Sequence, residues 1–235
     1  MQIRQLPSTE AVSLDLARAI AQALKPGARL ALPSGETPRQ AYALLGEWVA
    51  AGTISFAGTQ IFALDEYRGL SPDHPESFAQ FFGEALISRI DLPSGAFHAP
   101  LGDAADADAE AARYEALIAD GGLDLAVLGI GRNGHIAFNE PAERLTVKTH
   151  LATLDAVTRQ SMPPSLHGVT QGLTMGVGTI CQARKVLLVA TGASKAQAIA
   201  GMLGGWVDPR CPASVLQVHP DAEVLLDPDA AGLLS

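Results

Sequence analysis

Several short polar segments of this chain carry side chains that can move protons or bind an anion. Asp65 and Glu66 form a carboxylate pair directly after an apolar run. His135 lies five residues before Glu140, and Lys195 follows a serine in a glycine-containing turn. A carboxylate can take a proton from a substrate, and an imidazole can move one near neutral pH. We therefore expect proton-transfer chemistry, with a lysine available for a negatively charged group.

The central segment, residues 123–141, reads LDLAVLGIGRNGHIAFNEP. Its apolar start predicts a strand over residues 123–128 that is buried on both faces, as in a parallel sheet. Beyond that strand, His135 is either a proton shuttle whose tautomer Glu140 fixes or a structural histidine. Asn133 and Asn139 either orient their neighbours through hydrogen bonds or allow a left-handed turn.

Residues 34–38 read SGETP and residues 191–195 read TGASK, and each segment runs into a predicted helix. Thr37 is predicted to cap the first helix and Ser194 the second. Each turn alone is explained by ordinary helix capping. Two such turns together with Lys195 favour a phosphate site, because free N–H groups and the helix dipole attract anions.

Asp65 and Glu66 also allow a second interpretation. A carboxylate at a strand end can be a general base, but it can equally cap a helix or form a solvated acidic pair. The pattern of residue types leaves these alternatives open.

Strands and helices alternate along most of the chain. Strands are predicted at residues 28–32, 60–64, 123–128, 186–190 and 224–226, and helices between them include residues 103–120, 174–183 and 195–203. Residues 142–172 show weak periodicity. The pattern predicts one α/β domain over residues 1–235: a doubly wound, mostly parallel, Rossmann-like sheet with helices on both faces, in three layers. The four polar segments then meet at one edge of the sheet, where ligands bind.

Composition excludes several classes of function. The chain has 235 residues, of which 48% are hydrophobic and 17% charged, and a formal net charge of −9. No basic cluster is present, which argues against nucleic acid and anionic membrane surfaces as partners. The two cysteines lack metal or redox spacing, and the first 20 residues do not resemble a signal peptide. We expect a soluble, cytoplasmic protein.

These segments resemble the glucosamine-6-phosphate deaminase (isomerase) family. GIGRNGHIAFNEP is similar to the family signature, LDEYRGLSPDHPESF to its second motif, and LPSGETP to its phosphate loop. Residues 173–199 and 213–227 are similar to its C-terminal third. The superfamily includes 6-phosphogluconolactonase, which follows its GH with an ASLFP-like segment rather than AFNEP.

The resemblance implies a role for each site residue. Asp65 would move the proton between carbons 2 and 1 of the open-chain aminosugar, and His135 would open the ring with the help of Glu140. Asn133 stands where family members have aspartate or asparagine. The residues implied to hold the 6-phosphate are Ser34, Gly35, Thr37 and Lys195. No metal or organic cofactor is implied.

Two departures fall on the implied phosphate site. The family usually has an arginine in an NSRFF-like segment, and that place falls near Pro164 here; Arg159, His167 and Arg39 are candidates for a substitute. The second departure is Glu36, an acid within the phosphate loop. We hypothesise altered or weakened phosphate recognition. The chain resembles the short members of the family, so a monomer or small homo-oligomer is expected.

Three functions remain open on the sequence. The first is an aldose–ketose isomerase that releases ammonia from an aminosugar phosphate. The second is a lactonase acting on 6-phosphogluconolactone, and the third is a non-catalytic sugar-phosphate binder. The AFNEP continuation and Asp65 favour the first.

Overall fold

Parallel strands form the centre of the computed structural model, which describes residues 1–234. The strands are β1 (Gln2–Gln5), β2 (Arg29–Leu32), β3 (Gln60–Ala63), β4 (Asp65–Tyr67), β5 (Phe97–His98), β6 (Leu125–Leu128), β7 (His150–Thr153), β8 (Gln171–Thr174), β9 (Lys185–Ala190) and β10 (Ala222–Leu226). The helices are α1 (Thr9–Ala23), α2 (Glu36–Ala50), α3 (Phe78–Ala85), α4 (Ala107–Ala119), α5 (Ala156–Gln160), α6 (Val177–Cys181) and α7 (Ala196–Met202). The main sheet has the order β1-β10-β9-β6-β2-β3-β5, and its pairs are parallel.

Helices cover both faces of the main sheet, so the predicted three-layer α/β fold is confirmed. Along β6, Leu125 and Val127 pack in a core shared with α1, α2 and α3. Ala126 and Leu128 point the other way, into a core shared with α4, α6 and α7. This alternation explains the unbroken apolar run in the sequence, because both faces of the strand are buried.

A second, smaller sheet was not predicted. It has the order β4-β8-β7, with antiparallel pairs, and Asp65 lies opposite Thr174. Phe138 and Leu154 pack with Tyr67 in its own small apolar core. The sheet uses residues from the stretch 142–172 that lacked periodicity. The predicted helix 174–183 was wrong at its start, because Thr174 still belongs to β8.

Three predicted helix starts were also wrong. Helix α2 begins one residue before Thr37, and its N-cap is Gly35. A 3₁₀ turn, Ala193–Lys195, precedes α7, so Ser194 lies inside that turn and does not cap a helix from residue 195. Helix α4 begins at Ala107 rather than residue 103, because the side chain of Asp106 accepts from the first free N–H groups.

No helix among residues 1–234 combines the length and the apolar character that crossing a membrane requires.

Candidate active site

A pocket of about 450 Å³ lies beyond the carboxyl ends of β2, β3, β6 and β9. Its volume suits a small-molecule ligand. The predicted site residues that line it are Ser34, Gly35, Thr37, Asp65, His135 and Lys195. The other two predicted residues, Asn133 and Glu140, contact each other and connect to His135 through hydrogen bonds. The structure therefore brings all the predicted site residues together at one edge of the sheet, as expected from the parallel topology.

The loop between β2 and α2 forms one end of the pocket. Gly35 adopts φ +108°, a conformation that L side chains rarely take, and it directly precedes the first turn of α2. The Tyr42 hydroxyl donates to the Pro33 carbonyl at 2.6 Å and fixes the loop to its own helix. Ser34 and Thr37 face the pocket together with the free N–H groups of the helix start, which is a suitable place for an anion.

Glu36 lines the pocket, and its carboxylate is paired within its own helix. Its side chain is 84% exposed and forms an ion pair with Arg39 at 3.1 Å. Arg39 in turn stacks over the ring of Phe81, 4.7 Å from its centroid. The acidic residue is therefore neutralised by its own helix, and the loop keeps its backbone donors.

Lys195 lines the same pocket from the turn after β9, whose Thr191 Oγ1 lies 3.5 Å from Thr37 Oγ1. Its ammonium Nζ donates to the Ile130 carbonyl at 2.7 Å. The pKa of Lys195 is lowered by burial and by the positive charge of Arg132. The turn before it is fixed by Asp227, whose carboxylate oxygens each lie 3.0 Å from the Gly192 N–H. Asp227 was not singled out from the sequence.

Asp65 and Glu66 have separate tasks although they are adjacent. Three backbone N–H groups, of Tyr67, Phe78 and Ala79, donate to the Glu66 carboxylate at 2.9 to 3.0 Å, so Glu66 holds the start of α3. Asp65 is 7% exposed and lines the pocket. Burial and the negative charge of Glu66 raise its pKa well above the usual value for an aspartate. A raised pKa makes a carboxylate a stronger base.

His135 and Glu140 form a hydrogen-bonded pair, with 3.3 Å between Nδ1 and Oε2. The Thr158 hydroxyl lies 3.1 Å from the same Nδ1, and the Asn133 amide donates to Glu140 Oε2 at 2.9 Å. Burial would raise the pKa of Glu140, but hydrogen bonds from these three neighbours hold it below its usual value. Because Nδ1 faces Glu140 and Thr158, Nε2 is the ring nitrogen left for a ligand.

The backbone around His135 leaves little room for substitutions. A Cβ on Gly131 would lie 2.2 Å from the His135 ring, so only glycine allows the ring to fold over the turn. Ala137 has φ +50° and is the one described non-glycine residue with positive φ. Strain of this kind is concentrated at functional sites. Asn139 is buried and donates to the carbonyls of Ile136 and Met175, which fixes the turn after the histidine.

The candidate substitutes for the missing arginine do not lie in the pocket. None of the three lines it. Arg39 is paired with Glu36, and His167 is exposed. Arg159 has a buried Nε without a hydrogen-bond partner among the described residues. The arginine that does line the pocket is Arg132, inside the GIGRNGH segment. Its place within the central motif was a signal that the sequence reasoning did not use.

Thr158 was missed for a different reason. It comes from α5, a five-residue helix with no clear periodicity, and it reaches His135 across 23 residues of chain. Nothing in the local sequence marks that contact. Among residues 1–234 no group of three or more His, Cys, Asp or Glu side chains is placed to bind a metal ion.

Comparison with protein families identifies one model that matches residues 7–225, described as glucosamine-6-phosphate isomerases/6-phosphogluconolactonase. A glucosamine-6-phosphate deaminase of Shewanella loihica is 43% identical over 219 residues, covering 90% of this chain and 81% of the relative. One of Mycolicibacterium smegmatis is 45% identical over 213 residues, covering 88% and 82%.

Solved structures with the same fold include both branches of this group. A monomeric glucosamine-6-phosphate deaminase is 38% identical, with a TM-score of 0.96 over 99% of this chain and 100% of the other. The 6-phosphogluconolactonase of Trypanosoma brucei has a TM-score of 0.75 at 21% identity, over 100% and 98% of the two chains. The second likeness establishes the shared fold alone.

Proposed function

Because this chain belongs to the glucosamine-6-phosphate isomerase/6-phosphogluconolactonase family, we propose that it converts glucosamine 6-phosphate, or a close analogue, into fructose 6-phosphate and ammonia. One observation carries the choice of this reaction over lactone hydrolysis. A buried carboxylate of raised pKa, Asp65, lines the same pocket as the His135–Glu140 pair and the anion-binding loop. An isomerase needs such a base to abstract a carbon-bound proton.

The first step is opening of the sugar ring. His135 Nε2 takes the proton of the anomeric hydroxyl and returns a proton to the ring oxygen as the C1–O5 bond breaks. Glu140 stabilises the protonated imidazole and fixes which nitrogen is free. Asn133 acts on the carboxylate, because its amide donates to Glu140 and its oxygen accepts from the His135 backbone N–H at 3.2 Å.

The second step is proton transfer between two carbons. The Asp65 carboxylate removes the proton from carbon 2, next to the aldehyde, while the aldehyde oxygen takes a proton from the substrate's ammonium group, and an enolamine forms. Returning that proton to carbon 1 gives a protonated imine at carbon 2. Water adds to the imine carbon and ammonia leaves, so the ketose is formed. These steps are proton transfers and a hydration, and the proposal includes no metal or organic cofactor.

The phosphate is proposed to bind at the loop between β2 and α2, close to Lys195. Ser34, Gly35 and Thr37 supply hydroxyl and backbone donors at the start of α2, and Lys195 supplies a positive charge. Binding a remote phosphate supports catalysis by fixing the position of carbons 1 and 2 relative to Asp65.

The direct test measures ammonia and fructose 6-phosphate released from glucosamine 6-phosphate. We expect both products in equal amounts, and no acceleration of 6-phosphogluconolactone hydrolysis. Acid release from the lactone without ammonia would overturn the proposal in favour of the lactonase. If neither product forms while glucosamine 6-phosphate raises the melting temperature, the protein is a binder and the proposal fails.

We also propose that the protein acts as a monomer or small homo-oligomer, which the likeness to a monomeric deaminase supports. Light scattering after size-exclusion chromatography should give the mass of one chain or a small multiple of it. A hexamer would contradict this expectation.

The Thr158→Val variant tests whether the hydroxyl at His135 positions the imidazole. Valine keeps the shape but removes one hydrogen bond, so we expect kcat to fall about 3- to 10-fold with KM unchanged. Thr158→Ser, which restores the hydroxyl, should recover the wild-type kcat. Equal losses in the valine and serine variants would show that packing, and not the hydrogen bond, is what Thr158 contributes.

A further inference from the structure

Arg132 is a positively charged side chain at the pocket, and it forms no ion pair with any other residue among 1–234. It is exposed and lines the pocket. An arginine at the wall of a ligand pocket is available to a ligand, because its guanidinium is always charged and carries five N–H donors.

The turn that carries Arg132 fixes its position. The Gly134 N–H donates to the Gly131 carbonyl at 3.0 Å, so Arg132 and its neighbour occupy the two central positions of a tight turn. The neighbour, Asn133, is directed to Glu140. The same turn therefore carries one side chain that supports the proton-transfer pair and another that contributes to the pocket wall.

Arg132 and Lys195 lie on the same side of the pocket. The Lys195 ammonium donates to the carbonyl of Ile130, two residues before Arg132, at 2.7 Å. Burial lowers the pKa of Lys195, and the charge of Arg132 lowers that pKa further. Two like charges near each other repel, which raises the free energy of the empty pocket. An anion bound between them lowers that free energy.

The acidic residues that line the pocket do not neutralise this pair. Glu36 forms its ion pair with Arg39, within its own helix. Asp65 is buried in the second sheet and forms no ion pair with either cation in the described part of the chain. The remaining neutralising group is one that a ligand brings, and a phosphate has several oxygens that can accept from a guanidinium and an ammonium at once.

We propose that Arg132 is the second cation of the phosphate site and clamps the 6-phosphate together with Lys195 and the loop at residues 34–37. The inference rests on the proposed function for the identity of the substrate. It makes Arg132 a specificity-determining residue, because its two parallel N–H groups recognise a phosphate and add nothing to the binding of an unphosphorylated sugar.

The test is the Arg132→Gln variant, assayed with glucosamine 6-phosphate and titrated with inorganic phosphate by calorimetry. We expect KM and the phosphate dissociation constant each to rise about 10- to 100-fold, with kcat changed by less than about threefold. Arg132→Lys keeps the charge but loses the planar guanidinium, so its KM and phosphate dissociation constant should lie between those of the wild type and of Arg132→Gln. Arg144→Gln is the matched control, since Arg144 is also exposed, is in no ion pair among the described residues and lies outside the pocket.

Two results would overturn the inference. One is an unchanged KM and an unchanged phosphate affinity in Arg132→Gln. The other is a fall in kcat at constant KM, which would mean that the residue acts on the proton-transfer pair through the turn. If the wild-type protein releases no ammonia, the proposed function fails. The phosphate titration of the wild type and the variant still decides whether Arg132 binds the anion.

Discussion

Replacing Asp65 with asparagine is expected to lower kcat for ammonia release by about 10²- to 10⁴-fold. The amide has nearly the same size as the carboxylate but cannot accept the proton from carbon 2. KM should change little, because the groups proposed to hold the phosphate are untouched. Steady-state kinetics with glucosamine 6-phosphate measure both quantities. A variant that keeps more than about a tenth of the wild-type kcat would remove Asp65 from the role of base.

The pH profile of the wild type offers a second measurement of the same residue. A base works only when deprotonated, so kcat falls as the pH is lowered through the pKa of Asp65. Burial and the charge of Glu66 raise that pKa, and the acid limb is therefore expected above the value of about 3.9 that is usual for aspartate. An acid limb at the ordinary aspartate pKa would contradict the raised pKa of Asp65.

Thermal stability separates loss of the base from loss of the fold. The pKa of Asp65 is higher in the folded protein than in the unfolded chain, so its charged form is less favourable in the folded protein. Ionised Asp65 therefore lowers the free energy of unfolding. That cost is absent below the unfolded pKa of about 3.9 and grows as the pH rises to the folded pKa. Asp65→Asn is thus expected to melt at or above the wild-type temperature near neutral pH. The difference should vanish in acid.

The sequence was sufficient for the five inner strands of the main sheet, because they are mostly buried, but the edge strands β1 and β5 are exposed or half-buried and were not predicted. Leu125, Val127, Ala126 and Leu128 alternate between two cores, and every position must be apolar. The turns that follow such strands then meet at one edge by topology alone. That is why residues as far apart as Thr37 and Lys195 line one pocket.

The second sheet depends on partners that no local pattern shows. Asp65–Tyr67 is a strand of two acids and a tyrosine, and it becomes one by pairing with β8, more than 100 residues later. The paired strand β7 is only partly buried, so its sequence lacks a clear alternation. Propensity and periodicity act over short windows, and this sheet is fixed by tertiary contacts.

The phosphate end of the site shows the same limit at the level of single side chains. The resemblance placed the missing arginine near Pro164, and Arg159, His167 and Arg39 were the expected substitutes. The structure instead places Arg132 at the pocket, inside a motif that had been interpreted through its neighbours Asn133 and His135. Which side of a turn a residue faces depends on backbone hydrogen bonds, here the one between Gly134 and Gly131.

The His135→Gln variant is expected to lose kcat by about 10²- to 10⁴-fold, because ring opening then lacks its acid and base. A kinetic isotope effect identifies the affected step. With glucosamine 6-phosphate deuterated at carbon 2, the wild-type effect reports proton abstraction by Asp65. In His135→Gln, ring opening becomes rate-limiting and the isotope effect should fall to unity. A variant with full activity, or with a slowed reaction and a larger isotope effect, would assign His135 to another step.

Glu140 acts on the substrate only through His135, and a double-variant cycle measures this dependence. Glutamine at position 140 removes the charge 3.3 Å from Nδ1, so Glu140→Gln alone should lose less than His135→Gln alone. Once His135 is glutamine, the second change has no protonated imidazole left to stabilise. The double variant is therefore expected to match His135→Gln, whereas independent roles would multiply the two losses. Multiplied losses would mean that Glu140 contacts the reacting sugar itself. Because Glu140 does not line the pocket, the residues around His135 would then have to move to let the sugar reach Glu140.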